Sequence, residues 1–247
     1  MSFLFAIFVK APLIVFSTIL MGSISVATSL FDPGGRRQHA ISRTWAKMLL
    51  FLGGVTVRMS GMENLDPGQN YVFVGNHLSL YDTPVVLANI PRQFLFLVNA
   101  RYVRLPFLGT HLRRSGHFSV DPDDKRSSLK IMTEAARRVQ QRGLSILLFP
   151  EGRRARAELQ EFKDGAAVIA IKSQAPVIPF ALRGTREVLP IGSVHVKGLP
   201  VDFVLGQPIP TAGLTLKDRE WLTREMRRRI VELMESIEGL REPAHHG

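Results

Sequence analysis

The sequence predicts an α/β domain preceded by a pair of membrane-associated helices, and three observations carry that reading. No residue from Ala11 to Phe31 is charged, a run about as long as a bilayer core is thick. Beyond residue 60, short apolar runs alternate with stretches of helical periodicity, the pattern of strands interleaved with helices. Near the C-terminus, Leu222, Met226, Ile230, Leu233, Ile237 and Leu240 fall at steps of three and four, which gives one apolar helical stripe suited to core packing. The expected division is residues 1–57 for the helix pair and 58–247 for the α/β domain.

The first apolar stretch reaches back to Phe3 with only Lys10 interrupting it. Its second half carries Gly22, Ser23, Ser25, Thr28 and Ser29, so both a spanning and a re-entrant helix fit. Ser25 to Ala27 resembles a signal-peptide cleavage site, but the residues before Lys10 are apolar where a signal peptide is basic. The break Asp32-Pro33-Gly34-Gly35 is followed by Arg36, Arg37, Arg43 and Lys47 and then by a second apolar run, Met48 to Val55. Basic residues beside a membrane segment favour the cytoplasmic side and anionic headgroups. The bulk of the chain is therefore expected on the cytoplasmic face.

Strands are expected at Tyr71 to Val74, Phe94 to Val98, Leu144 to Phe149, Val177 to Leu182 and Val201 to Leu205. Helices are expected at Thr83 to Ala88, Ser127 to Arg142, Ala166 to Ser173 and Leu216 to Leu240. The tail from Glu242, with its two adjacent histidines, reads as a frayed end.

The chain of 247 residues is 45% hydrophobic and contains no cysteine. Disulfides, Cys-rich metal sites and thiol nucleophiles are thereby excluded. A formal charge of +11 implies polyanionic partners: nucleic acid, anionic lipid or an acidic carrier protein. Aromatic residues are not interleaved with the basic ones, so no nucleic-acid module is expected. Nor does a His-Glu-x-x-His motif or a carboxylate cluster accompany the histidines, so no metal site is expected.

The sharpest motif is Asn76-His77-Leu78-Ser79-Leu80-Tyr81-Asp82, directly after a strand. Residues five apart point away from each other on a helix, so His77 and Asp82 can pair only through a loop. Pro84 suits the first turn of a helix, which would start near Asp82 and leave the loop between strand and helix. An imidazole with a carboxylate on its other nitrogen is a hydroxyl-activating pair. The plain alternatives are a helix N-cap for Asp82 and a satisfied polar residue near a sheet edge for His77.

A second cluster, Pro150-Glu151-Gly152-Arg153-Arg154, leaves the next expected strand, with Arg156 close behind. Guanidinium groups there match the oxygens of a phosphate, and Glu151 is placed to orient one of them. The plain alternative is a solvated basic loop. A third stretch runs from Asn99-Ala100-Arg101 through Pro106-Phe107-Leu108-Gly109 to Gly116-His117-Phe118-Ser119-Val120-Asp121. It reads as loop, helical turn and strand.

Asn76 to Asp82, Phe149 to Arg154 and Val177-Ile178-Pro179, in that order and spacing, resemble the NHxxxxD, FPEGTR and V-x-P blocks of the 1-acylglycerol-3-phosphate acyltransferase family. Pro106 to Asp121 is similar to that family's intervening block, and Phe162-Lys163-Asp164-Gly165 to its FKxG element. The resemblance implies a glycerolipid acyltransferase-like fold, a mixed β-sheet flanked by helices. It also implies a reaction: His77 deprotonates the sn-2 hydroxyl of lysophosphatidic acid, which attacks an acyl-ACP or acyl-CoA thioester, with Asp82 supporting His77. Asn76, Arg101, Glu151, Gly152, Arg153 and Arg154 would bind substrate, and no cofactor is implied beyond the thioester co-substrate. Two residues depart from the family pattern: Arg153 stands where Thr is usual, and Pro122 follows Asp121 where Arg is common. These departures bear on acceptor identity and leave another lysophospholipid or a lyso-aminolipid open.

Two rival readings differ in class. A hydrolase would need a serine beside the pair, and the sequence offers Ser79 without a Gly-x-Ser-x-Gly elbow. A non-catalytic basic lipid-binding protein at a membrane surface would have no use for the His and Asp of the first motif.

Overall fold

The computed structural model describes residues 6–105, 107–121, 124–155 and 158–239. Pro106, Pro122, Arg156, Leu240 and the tail with its histidines lie outside the described residues. A helical turn at Ala6–Lys10 runs into α1 (Ala11–Thr28) and a 3-10 turn at Ser29–Phe31. Phe8–Phe31 is long and apolar enough to cross a membrane, with a mean hydropathy of 1.9 and only 11% of it buried. Four of its hydroxyls are turned inward on the helix: Ser17 and Thr18 donate to the carbonyl of Ile14, Ser23 to Ile19 and Ser29 to Val26. That removes much of their polarity toward the surroundings.

After the Pro-Gly-Gly break comes α2 (Arg36–Gly53), ended by Gly54 at φ +69°, a left-handed conformation suited to glycine. Lys10 reaches across to donate to the carbonyl of Gly53 at 2.9 Å, placing a cation at the negative end of α2. Trp45 Nε1 donates to Thr18 Oγ1 and joins the two helices halfway along.

The α/β part follows as β1 (Val57–Ser60), β2 (Val72–Gly75), α3 (Asp82–Asn89), β3 (Phe94–Asn99), α4 (Ala100–Val103), α5 (Leu108–Arg114) and β4 (Phe118–Val120). It continues with α6 (Lys125–Arg142), β5 (Ser145–Leu148), α7 (Gly165–Ser173), β6 (Val177–Arg183), α8 (Thr185–Val188), β7 (Val201–Leu205) and α9 (Arg219–Gly239). The seven strands form one mixed sheet in the order β1-β7-β6-β2-β5-β3-β4, and only the β6/β7 pair is antiparallel. Each expected strand and helix is present within a few residues. Strand β1 was not expected, because Val-Arg-Met-Ser is too short and too polar to stand out.

Alternation along the strands divides the core into two layers. Phe73, Phe94, Phe96 and Leu147 pack on the face that carries Ala46 and Leu50 of α2 and Val85 and Val86 of α3. Val72, Val74, Leu95 and Ile146 pack on the opposite face with Ala135 of α6, Ile169 of α7 and Leu222, Met226 and Ile230 of α9. Leu222, Met226 and Ile230 of the C-terminal stripe are thus core packing. Because Ala46 and Leu50 share a core with the sheet, the second helix of the N-terminal pair packs as part of the α/β body.

Candidate active site

Strands β2 and β5 are parallel neighbours with Val74 opposite Leu148. Three residues further on in each chain lie His77 and Glu151, so the register alone brings the first two motifs together. Gly75, the last residue of β2, pairs with Phe180, and a Cβ there would lie 2.1 Å from that ring.

In the loop that follows, the Asp82 carboxylate is fully buried and gathers three donors on one oxygen. His77 Nδ1 lies 2.7 Å from Asp82 Oδ2, Leu78 N 2.7 Å and Ser79 N 2.9 Å. Asp82 is the first residue of α3, and it caps the loop instead of the helix. Its plain reading as an N-cap is therefore corrected: the donors come from the preceding turn, which wraps back over the carboxylate. Since a carboxylate only accepts, His77 carries its proton on Nδ1 and presents Nε2 as a free base.

Phe149 stacks on the imidazole with ring centroids 4.2 Å apart and an interplanar angle of 11°. The ring is held flat on one side and by its carboxylate at one corner. His77 also leaves a strand in the middle of the sheet, which corrects the edge position of its plain reading.

Glu151 is buried, and both its oxygens are committed to backbone: Oε1 accepts from His77 N at 2.7 Å and Oε2 from Gln160 N at 2.9 Å. Burial raises its pKa, and these two bonds offset only part of that rise. The expectation that Glu151 orients an arginine is corrected, because its acceptors are used in tying the two loops together. Asn76 is also corrected as a substrate contact. It is fully buried, and its amide exchanges two hydrogen bonds with the main chain of Leu182 in β6, at 2.9 and 2.8 Å.

The remaining expected residues line a cavity of about 1320 Å³ that starts at His77 and runs between α1, α2 and the sheet. This exceeds the usual small-molecule pocket. Arg101, Gly152, Arg153 and Arg154 all line it. Arg153 is exposed and donates to Gln160 Oε1 at 3.3 Å. Arg101 lies over the Tyr102 ring at 4.8 Å and donates to its hydroxyl. Arg154 is half-buried, with no hydrogen bond or ion pair among the described residues.

Sequence reasoning missed a further cation, Lys163, which lines the same cavity and passes 3.4 Å from where a side chain on Gly152 would begin. The available signal was its place in the Phe162-Lys163-Asp164-Gly165 block. Ser79 is buried, and its hydroxyl donates to the carbonyl of Leu189 at 2.7 Å. It faces away from His77, which removes the serine that a hydrolase triad would need.

A buried carboxylate, an imidazole with a free Nε2, neighbouring cations and a long apolar cavity form an arrangement chemically able to activate a hydroxyl beside an aliphatic chain. A family model described as Acyltransferase matches residues 56–183. The chain is 28% identical over 203 residues to the 1-acyl-sn-glycerol-3-phosphate acyltransferase of Borreliella burgdorferi, covering 82% of this chain and 81% of that protein. It is 31% identical over 195 residues to the 1-acyl-sn-glycerol-3-phosphate acyltransferase of Chlamydomonas reinhardtii, covering 78% of this chain and 57% of that one. The crystal structure of the 1-acyl-sn-glycerophosphate acyltransferase PlsC from Thermotoga maritima shares the fold, with a TM-score of 0.72 at 21% identity over 91% of this chain and 93% of that chain. The chain belongs to the 1-acylglycerol-3-phosphate acyltransferase family and is an acyltransferase.

Proposed function

We propose that the protein transfers a fatty acyl chain from an acyl-ACP or acyl-CoA thioester to the sn-2 hydroxyl of lysophosphatidic acid, giving phosphatidic acid at the cytoplasmic face of a membrane. The observation that carries this reading is the 2.7 Å contact between His77 Nδ1 and Asp82 Oδ2, at the mouth of an apolar cavity rimmed by Arg153, Arg154 and Lys163.

In this mechanism His77 Nε2 takes the hydroxyl proton as the oxygen attacks the thioester carbonyl carbon. Asp82 stabilises the imidazolium as it forms. The tetrahedral intermediate collapses with cleavage of the C–S bond, and the proton passes to the departing thiolate. Asn76 and Glu151 act as positioning residues, since one fixes the loop to β6 and the other fixes the backbone of His77. Arg154, which like Lys163 has no side-chain partner among the described residues, meets the acceptor phosphate with two parallel hydrogen bonds. Arg153 and Lys163 add positive charge around it. The reaction uses no cofactor besides the thioester co-substrate.

The apolar stretch Phe8–Phe31 and the basic start of α2 support residence at an anionic membrane surface, where both the acceptor and the product partition. Arg153, in place of the family's usual Thr, supports a second reading in which another lysophospholipid or a lyso-aminolipid is the preferred acceptor. The test is an assay of the purified protein in vesicles with labelled acyl-ACP and acyl-CoA, against a panel of lysolipids and water. Label in phosphatidic acid is expected. Label only in free fatty acid, or in no product, would overturn the proposal.

A further inference from the structure

The cavity does not stay apolar along its whole length. Its far wall is built from Ser25 of α1, Ser42 of α2, His111 and Ser115 of α5 and its C-terminus, and His117 before β4. The polar groups there form one network whose protons can be counted.

Phe96 N donates to His117 Nδ1 at 2.9 Å, so the neutral ring must carry its own proton on Nε2. Burial holds His117 neutral, pushing its pKa down to about 3, and lowers that of His111 as well. Ser42 donates to the carbonyl of Gln38 at 3.0 Å, so its oxygen is left as the acceptor facing His111 Nε2 at 3.5 Å. His111 Nδ1 is then a lone pair, approached by Ser25 Oγ at 2.9 Å and Ser115 Oγ at 3.2 Å. One lone pair takes one proton, and the shorter contact is with Ser25. Behind them the amide Nε2 of Gln38 donates to Ser115 Oγ at 3.0 Å and to Ser25 Oγ at 3.5 Å, so the serine oxygens are already supplied with donors. Among the described residues two protons remain without an acceptor, Ser115 Oγ–H and His117 Nε2–H, while Gln38 Oε1, buried behind them, remains without a donor.

Two unspent donors on the wall of a largely apolar cavity cost free energy unless an acceptor arrives. We infer that this wall, at Ser115 and His117, is a hydrogen-bonding subsite for a neutral oxygen, a hydroxyl or keto group, carried part-way along the acyl chain of the donor. The inference rests on the reading that the donor's acyl chain lies in this cavity. The occupant is a neutral oxygen because the two unspent donors, a hydroxyl and a neutral imidazole, are themselves uncharged.

The sheet register fixes the depth of the subsite. Phe96 pairs with Leu147, which pairs with Phe73, so His117 is anchored two strands across from β2 and level with a residue four before His77. That is about 10 Å sideways and about 13 Å along the strands, or roughly 16 Å in all. An extended chain advances about 1.3 Å per carbon given its C–C bond length, which puts the oxygen about a dozen carbons from the thioester, part-way along a long acyl chain.

The test measures binding of non-transferable S-alkyl thioethers of coenzyme A to the full-length protein in vesicles. The chains are of one length, with no oxygen or with one hydroxyl near the sulfur, at mid-chain or near the methyl end. Turnover of the plain acyl thioester is measured separately, and its loss would count against the proposed reaction alone. Two hydrogen bonds gained at an unsatisfied site predict roughly ten-fold tighter binding of the mid-chain hydroxyl than of the plain chain. The other two positions should bind no tighter than the plain chain. His117→Phe and Ser115→Ala should each reduce the mid-chain preference several-fold, and the serine variant leaves the Phe96 contact intact should the histidine variant misfold. Equal or weaker binding of the hydroxyl at every position, as expected if the wall holds only ordered water, would overturn the inference. So would a preference that survives both variants.

Discussion

Histidines stand at both ends of one cavity, and the two groups differ in what lies behind them. At the mouth, His77 has a buried carboxylate on Nδ1 at 2.7 Å, so its outward nitrogen is an acceptor. At the far wall, His117 has a backbone N–H on Nδ1, so its outward nitrogen is a donor. The same side chain thus becomes a base or a hydrogen-bond donor according to the group that fixes its tautomer. Burial reinforces the contrast, since it keeps His117 and His111 uncharged, while Asp82 would support an imidazolium at His77.

The comparison breaks most visibly if the carboxylate is changed to an amide. Asp82→Asn removes the charge that supports the imidazolium and lets Nδ2 donate where three donors now converge. Acyl transfer should fall by roughly 10²- to 10⁴-fold, measured as kcat with saturating acceptor on protein shown to be folded by circular dichroism. Near-normal turnover would mean that the tautomer at His77 does not matter.

Glu151→Gln is the next test, because an amide presents one acceptor where two backbone N–H groups now need one each. A buried donor left unpaired costs about 1–3 kcal/mol. The expected result is a drop in thermal midpoint together with a lower kcat and little change in acceptor KM. A change confined to KM would return Glu151 to substrate binding.

Arg154→Lys keeps the charge but loses the planar pair of donors. It should raise the KM for lysophosphatidic acid by roughly ten-fold while leaving that for a lysolipid without the phosphomonoester nearly unchanged. Equal effects on both would remove the phosphate clamp from the account.

A separate expectation concerns pH and three histidines that line the cavity, His39, His111 and His117. His39, His111 and His117 have pKa values lowered mainly by burial, to about 4 for His39 and about 3 for His117. Between the ordinary value of 6.5 and these lowered values the unfolded chain binds protons that the fold excludes. Stability should therefore be full above pH 6.5 and fall below it, by up to about 1.4 kcal/mol per pH unit for each such group. Glu151, with its raised pKa, works in the opposite direction but is one group against three. The thermal midpoint between pH 7.5 and 5 measures this, and a flat profile would contradict neutral histidines in the wall.

The mouth of the cavity was legible in the sequence and the far wall was not. His77 and Asp82 lie within one loop, and the strands on either side of them are apolar runs bounded by Gly and Pro. Parallel pairing then sets Glu151 opposite His77 without further information. What Glu151 and Asn76 bond to was not legible, since both reach main-chain groups of other segments and leave no side-chain pattern. The far wall joins Ser25, Gln38, Ser42, His111, Ser115 and His117, drawn from three helices and the turn before β4. Nothing in the spacing of those residues marks them as neighbours. Strand β1 escaped because Val57–Ser60 gains its pairing from β7, almost 150 positions away in the chain.

The central claim is that His77 Nε2 is the base for acyl transfer, and its most direct test is His77→Ala in vesicles with labelled thioester and lysophosphatidic acid. The account predicts that the folded variant binds the acceptor much as the parent does while kcat falls at least 10²- to 10⁴-fold, roughly the worth of a general base. A well-folded His77→Ala protein that still forms phosphatidic acid at near the parent rate would contradict it.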